Sequence, residues 1–256
     1  MSPISLKQRI RSRERLIGTF VKTASHQVVE ILGAAGFDFL VVDAEHAPFD
    51  RNALDIASLA ARASGTPALV RLPDSIAPET LNALDLGYAG VLAPHAKTRA
   101  EVDQLVRTCR YRDGIRGFSN SPRSGAYGAN GMRDHIERSD ASAVVICQIE
   151  DREAVDNLDE LAAADGVDCY LIGRADLAVS LGVVDIADPL VTNAVERIAQ
   201  TCAKAGKPVG MFVPDTRDIN SYADMGVSVF IAGSDQAMLR AHATASIRQF
   251  RDAPVK

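Results

Sequence analysis

The chain has 256 residues, enough to bury a full core and of a length that suits one α/β barrel as well as two small domains. Its formal net charge of −5 argues against a nucleic-acid or anionic-membrane surface. No stretch approaches the roughly 18 unbroken apolar residues of a membrane helix, and the basic segment Lys7 to Arg15 lacks the apolar run of a secretory signal.

Short apolar runs then alternate with amphipathic stretches, the pattern of a parallel sheet with crossover helices. Strand Leu16–Phe20 leads to helix Ser25–Ala35, Phe37–Val42 to Asn52–Ala63, and Ala68–Arg71 to Pro78–Leu86. Strand Gly90–Leu92 precedes helix Arg99–Cys109, after which the long segment Tyr111 to Ser142, rich in Gly, Ser, Arg and Asn, reads as a functional loop. Strand Ala143–Ile149 leads to helix Arg152–Ala163 and Asp168–Ile172 to Pro189–Ala205. Pro208–Phe212 leads to Thr216–Met225, and Ser228–Ile231 to a final helix, Gln236–Phe250. A glycine stands at four of the helix-to-strand joints, Gly36, Gly87, Gly166 and Gly226, where a helix ends and a strand begins. Eight strands with such joints, and no GxGxxG after the first, favour one closed (β/α)8 barrel domain over residues 1–256.

The four cysteines are far apart with no CxxC pair, and Cys147 and Cys169 fall inside strands as small buried hydrophobes. A reduced, cytoplasmic protein without thiol catalysis is expected.

In such a barrel the active site lies at the C-terminal ends of the strands. That rim carries Asp43, Glu45 and His46 after strand two, Arg71 at the end of strand three, Pro94 and His95 after strand four, and Gln148 and Glu150 at strand five. Asp176, Asp215 and Asp235 follow strands six, seven and eight. Glu150 and Asp176 sit at the ends of successive buried strands, where an uncompensated carboxylate is costly. Together they fit a hard divalent cation with open positions for water and substrate; either alone reads equally well as a helix cap. His46 beside Asp43 suits acid/base work, against a plain surface-loop histidine. Arg71 wants an anion, either a substrate or a structural carboxylate. His26, His135 and His242 read as helix-surface residues, and no lysine stands inside a strand to form an imine.

These residues resemble the HpcH/HpaI family of metal-dependent, class II pyruvate aldolases. The resemblance runs through Gly36-Phe37-Asp38, Asp43-Ala44-Glu45-His46-Ala47-Pro48, Val70-Arg71, Leu92-Ala93-Pro94, Gly114-Ile115-Arg116-Gly117, Gln148-Ile149-Glu150 and Ile172-Gly173-Arg174-Ala175-Asp176-Leu177. It implies a (β/α)8 TIM barrel of the phosphoenolpyruvate/pyruvate type with an extra C-terminal helix. Glu150 and Asp176 would bind Mg²⁺, Mn²⁺ or a similar ion. Arg71 would contact the keto oxygen of a 2-oxo acid, with Gln148, Gly173, Ala175 and Asp176 around its carboxylate. His46, oriented by Asp43, would be the acid/base group, and Glu45 and Asp85 would hold metal waters.

The implied reaction cleaves or forms 4-hydroxy-2-oxo acids from pyruvate enolate and an aldehyde. The implied assembly is a homo-oligomer, a hexamer or trimer of dimers, that exchanges its last helix. Two departures stand out: Arg174 replaces the family's usual proline, and the loop Ser119 to Gly128, expected on the acceptor side, follows its pattern only loosely. A lyase for malyl- or citramalyl-CoA thioesters and a non-catalytic oxo-acid-binding barrel are the competing readings.

Overall fold

The computed structural model describes residues 5–73 and 77–253. Eight parallel strands close into a barrel in sequence order: β1 (Leu16–Val21), β2 (Phe39–Asp43), β3 (Ala68–Arg71), β4 (Gly90–Ala93), β5 (Val144–Ile149), β6 (Cys169–Ile172), β7 (Val209–Val213) and β8 (Val227–Ser234). All lie within a few residues of the sequence expectation. The reason is that both faces of each strand are buried, so the apolar runs are nearly continuous.

Inside the barrel, Phe39, Val41, Leu69, Leu92, Ile146, Leu171, Val229 and Ile231 form one cluster. Burial of each such side chain stabilises the fold by about 1.5–3 kcal/mol. The floor of this cluster is closed by α1 (Leu6–Arg11), whose Leu6 and Ile10 enter it. The basic segment near the N-terminus is therefore a helical plug, with Ser5 and Gln8 forming a capping box.

The surrounding helices are α2 (His26–Ala34), α3 (Arg51–Ala63), α4 (Ala77–Asp85), α5 (Arg99–Thr108), α6 (Met132–Ser142), α7 (Arg152–Asp156), α8 (Leu158–Ala162), α9 (Arg174–Leu181), α10 (Pro189–Lys204), α11 (Ile219–Asp224) and α12 (Asp235–Asp252). The four joint glycines hold φ between 87° and 94°, the left-handed turn that the sequence pattern required.

Three expectations change. The segment Tyr111 to Ser142 is not all loop: it holds a 3-10 turn (Arg123–Gly128) and α6, whose polar sequence buries only His135 and so shows little periodicity. The helix expected over Arg152–Ala163 breaks at Asn157, whose side chain donates to the Lys97 carbonyl at 3.1 Å. Helix α9 follows β6 directly and was hidden behind the motif residues that open it.

Candidate active site

Register brings the first pair together. Asp43 and Arg71 are the last residues of β2 and β3 and face each other across the ladder. Arg71 donates from Nε and Nη2 to the two Asp43 oxygens at 2.9 and 2.6 Å, a bidentate fork almost sealed from solvent. Its guanidinium also lies 4.5 Å over the Phe20 ring, and Nη1 is 3.2 Å from Glu45. Lys22 approaches Asp43 at 3.2 Å. Burial works to raise the Asp43 carboxyl, but Arg71 overcomes it and holds the group below its ordinary range.

This corrects one assignment. Both Asp43 oxygens are taken by Arg71, and Asp43 reaches His46 only through the backbone N–H, at 3.2 Å. The His46 ring is half exposed, with Nε2 3.6 Å from Glu45. Asp43 thus pins Arg71 and shapes the loop, and it makes no hydrogen bond to the imidazole ring.

The second group gathers on β5 and β6. Glu150 is 2% exposed. Its Oε1 accepts the His95 N–H at 3.0 Å, and its Oε2 accepts from the Gln148 side-chain amide. Burial pushes its carboxyl up to about 7, the His95 contacts pull it down, and Asp176 and Glu45 push it up again. The remaining Gln148 oxygen is buried without a partner. Gly173 closes over this pair: a Cβ there would lie 2.5 Å from Glu150 Oε2 and 2.6 Å from Gln148 Nε2, so any larger residue would displace both side chains. Ala175 and Asp176 follow in the exposed first turn of α9, which has no side-chain cap.

His95, on the rim but given no role from sequence, proves central. It holds a left-handed backbone with φ of 53°, an uncommon state for a non-glycine residue. Its Nδ1 is 2.9 Å from Asp151 and 3.6 Å from Glu150, and its Nε2 is 3.8 Å from Glu45. Burial opposes its charge, but Asp151, Glu150 and Glu45 together raise its pKa. The Pro94-His95 step after a strand was the available signal; nothing local marked Asp151.

The sequence of 16–242 matches the profile described as HpcH/HpaI aldolase/citrate lyase. The chain belongs to that family. It is 34% identical over 240 residues, 93% of each chain, to the 5-keto-4-deoxy-D-glucarate aldolase of Shigella boydii serotype 18. It superposes with a TM-score of 0.92 on an HpcH/HpaI aldolase/citrate lyase family protein from Burkholderia cenocepacia J2315, at 33% identity and covering 96% and 99% of the two chains. The citrate synthase SbnG is similar at 30% identity and a TM-score of 0.88, covering 96% of this chain and 97% of that one. The protein is a carbon–carbon lyase on a TIM barrel.

Other rim residues of this HpcH/HpaI barrel are structural. Asp235 accepts the Lys22 and Thr23 N–H groups at 2.8 and 2.9 Å and ties α12 to the end of β1. Asp215 pairs with exposed Arg217. His26 and His242 are exposed as expected, but His135 is 1% exposed, between Tyr111 and Phe118, with Nε2 3.1 Å from the Tyr111 hydroxyl.

Asp85 does not join the mouth. It ends α4 just before β4 begins, at the opposite end of the barrel, and Arg116 donates to it at 2.9 Å. The Ser119 to Gly128 loop lies at that same end, where Arg123 donates to the Leu86 carbonyl at 2.9 Å. It therefore cannot shape the acceptor side of its own barrel.

Among the described residues no three His, Cys, Asp or Glu side chains form a metal cluster. The oxygens that could hold a cation at the mouth are the carboxylates of Glu150 and Asp176, with the unpartnered oxygen of Gln148 on the side chain that donates to Glu150. That all-oxygen set suits a hard divalent cation whose other ligands are water and substrate.

Proposed function

We propose that the protein is a divalent-metal-dependent aldolase that cleaves or forms 4-hydroxy-2-oxo acids, with pyruvate and an aldehyde as the smaller partners. The observation that carries this reading is Glu150: a buried carboxylate that no lysine or arginine among the described residues reaches, with Asp176 adding to its unfavourable charge. A bound cation would offset the cost of keeping such a group charged. Mg²⁺, Mn²⁺ or a similar ion held by Glu150 and Asp176 would supply Lewis acidity for the enolate oxygen.

The chain's own residues do the rest. Arg71, locked by Asp43, needs no reorganisation to donate to the keto oxygen as charge develops there. The N–H groups of Ala175 and Asp176, beside Gly173, hold the substrate carboxylate, and the amide N–H of Gln148 that is not given to Glu150 is a further donor to it. In cleavage, His46 removes the proton from the C4 hydroxyl, the C3–C4 bond breaks, and its electrons remain on pyruvate as the enolate while the aldehyde leaves. The enolate then takes a proton at C3 from water, and His46 returns the hydroxyl proton to the hydroxide left behind. Glu45, against Arg71 and His46, orients water at the mouth.

The relative named above makes a polyhydroxylated 2-oxo diacid the first substrate to test. The CoA-thioester reading is not favoured, because the mouth cations Lys22, Arg71 and Lys97 each face an acid.

The proposed assembly is a homo-oligomer, a hexamer or trimer of dimers. Of α12 only Asp235 is buried, and Leu239, Ile247 and Phe250 are 74%, 52% and 79% exposed. A neighbouring copy would cover this stripe, and a neighbour is also the only source from which Asp85 could serve a mouth. One catalytic domain in the reducing cytoplasm agrees with four buried free cysteines and with no membrane-crossing helix among the described residues.

The test is product formation from pyruvate and a panel of aldehydes with Mg²⁺ or Mn²⁺. Full turnover after exhaustive chelation removes the metal role, and no turnover with any aldehyde removes the aldolase reading.

A further inference from the structure

Helix α9 carries Asp176 and the free N–H groups of its first turn, so its placement sets half of the proposed cation site. Its first residue is Arg174, at the position where proline is favoured because its ring presets φ. Gly173 precedes it, so the backbone here has little intrinsic restraint. The Gly173 N–H is tied to the Ile149 carbonyl at 3.1 Å, and side-chain contacts from outside the helix add to that.

The Arg174 guanidinium turns away from the mouth. It lies 5.0 Å over the ring of Tyr222, on α11, and donates from Nη1 to the Tyr222 hydroxyl. Its Nε is buried without a partner, so this orientation leaves one hydrogen bond unmade. It lines a cavity of about 350 Å³ between α9, α10 and α11 rather than the substrate mouth.

The other end of α9 is bolted separately. Ser180 Oγ accepts the Arg152 N–H at 2.8 Å, and the Leu181 carbonyl accepts from Arg152 Nη2 at 3.0 Å. Arg152 lies two residues beyond Glu150 in the chain. The helix is thus held at its far end by the segment that carries one carboxylate, and at its near end by Tyr222.

We propose that Arg174 and Tyr222 are positioning residues whose contact fixes the first turn of α9, and so the placement of Asp176 against Glu150 and the aim of the N–H groups beside it. The inference rests on reading Glu150 and Asp176 as the cation site. A planar guanidinium that both stacks and donates is needed, so lysine is not an equivalent.

The test is Mn²⁺ titration of the full chain, reading free ion by electron paramagnetic resonance with and without pyruvate, with folding checked by circular dichroism and urea melts. Arg174→Met should weaken Mn²⁺ binding about three- to tenfold, less than the 10–100-fold typical of a direct outer-shell partner. Tyr222→Phe, which keeps the ring, should lose less. Arg174→Pro should recover most of the affinity, because the ring restores the restraint on φ. Wild-type Mn²⁺ binding in folded Arg174→Met, with only its melt shifted, makes the contact structural and overturns the proposal. Equal weakness in the Met and Pro variants also overturns it, since charge and not backbone restraint would then be at work. Glu150→Gln separates the two layers: if it still binds Mn²⁺ the cation-site reading fails, whereas if it loses Mn²⁺ while Arg174→Met keeps it, only the positioning proposal fails.

Discussion

Two buried carboxylates of this barrel, Asp168 at the floor and Glu150 at the mouth, are treated in opposite ways. At the floor, Asp168 is fully neutralised: Arg11 donates to one oxygen at 2.7 Å, the Val145 N–H to the other at 2.9 Å, and Lys7 lies 3.4 Å away. Lys7 is itself buried and donates to the Ala143 carbonyl at 2.6 Å, and burial is what lowers its pKa. Asp38 is similar, held by Arg9 and by the Ile17 N–H. At the mouth, buried Glu150 and exposed Asp176 meet no lysine or arginine among the described residues, whereas Asp43 beside them is held by Arg71. Acids whose charges are balanced within the chain hold the fold together; acids left unbalanced are available to a ligand.

Substitutions can break that contrast. The largest effect is expected at the mouth, where Glu150→Gln should lower turnover by at least about a hundredfold and abolish divalent-cation binding. Its urea midpoint should not fall, because a costly buried charge has been removed. A destabilised variant with normal metal affinity would show that Glu150 belongs with the floor acids. Asp168→Ala should do the reverse, costing about 3–5 kcal/mol of stability by leaving Lys7 unpaired while activity per folded molecule is kept. Denaturant unfolding alongside steady-state kinetics checks both halves.

A subtler probe is Gly173→Ala, whose Cβ would lie 2.5 Å from Glu150 Oε2. Cation affinity should drop about tenfold or more with little change in the unfolding midpoint. Unchanged affinity would mean that β6 has room to shift.

The smallest and most graded effect is with pH. Burial raises the Glu150 carboxyl to about 7, so protons compete with the cation below that value, and affinity should fall by about tenfold per pH unit well beneath it. Because the folded pKa lies above the ordinary 4.5, this group's contribution to metal-free stability is present below 4.5 and lost as pH rises through about 7. Isothermal titration in two buffers should detect proton release on cation binding near pH 6, and its absence would place the Glu150 pKa near normal.

Much of this molecule was legible in its amino-acid order. Strands buried on both faces leave continuous apolar runs, and left-handed joints demand glycine, so the eight βα units and the closed barrel followed without coordinates. The mouth residues could be named for the same local reason, since a polar side chain directly after such a run stands at the C-terminal rim. Elements with little burial left no such trace: α6 hides one histidine, and α9 begins within a motif.

Which charges neutralise which was decided only by the tertiary structure, because ion pairs form across strands and helices that are distant in sequence. Asp43 was placed beside His46 by proximity in the chain, but parallel register sets it against Arg71. Asp85 was matched to the site by motif, but a helix that runs antiparallel to its strand carries it to the floor. His95 took its place among Glu45, Glu150 and Asp151 through a left-handed turn that nothing in its own side chain requires. Sequence specified the donors and the end of the barrel where they gather; three-dimensional packing specified which of them are already satisfied.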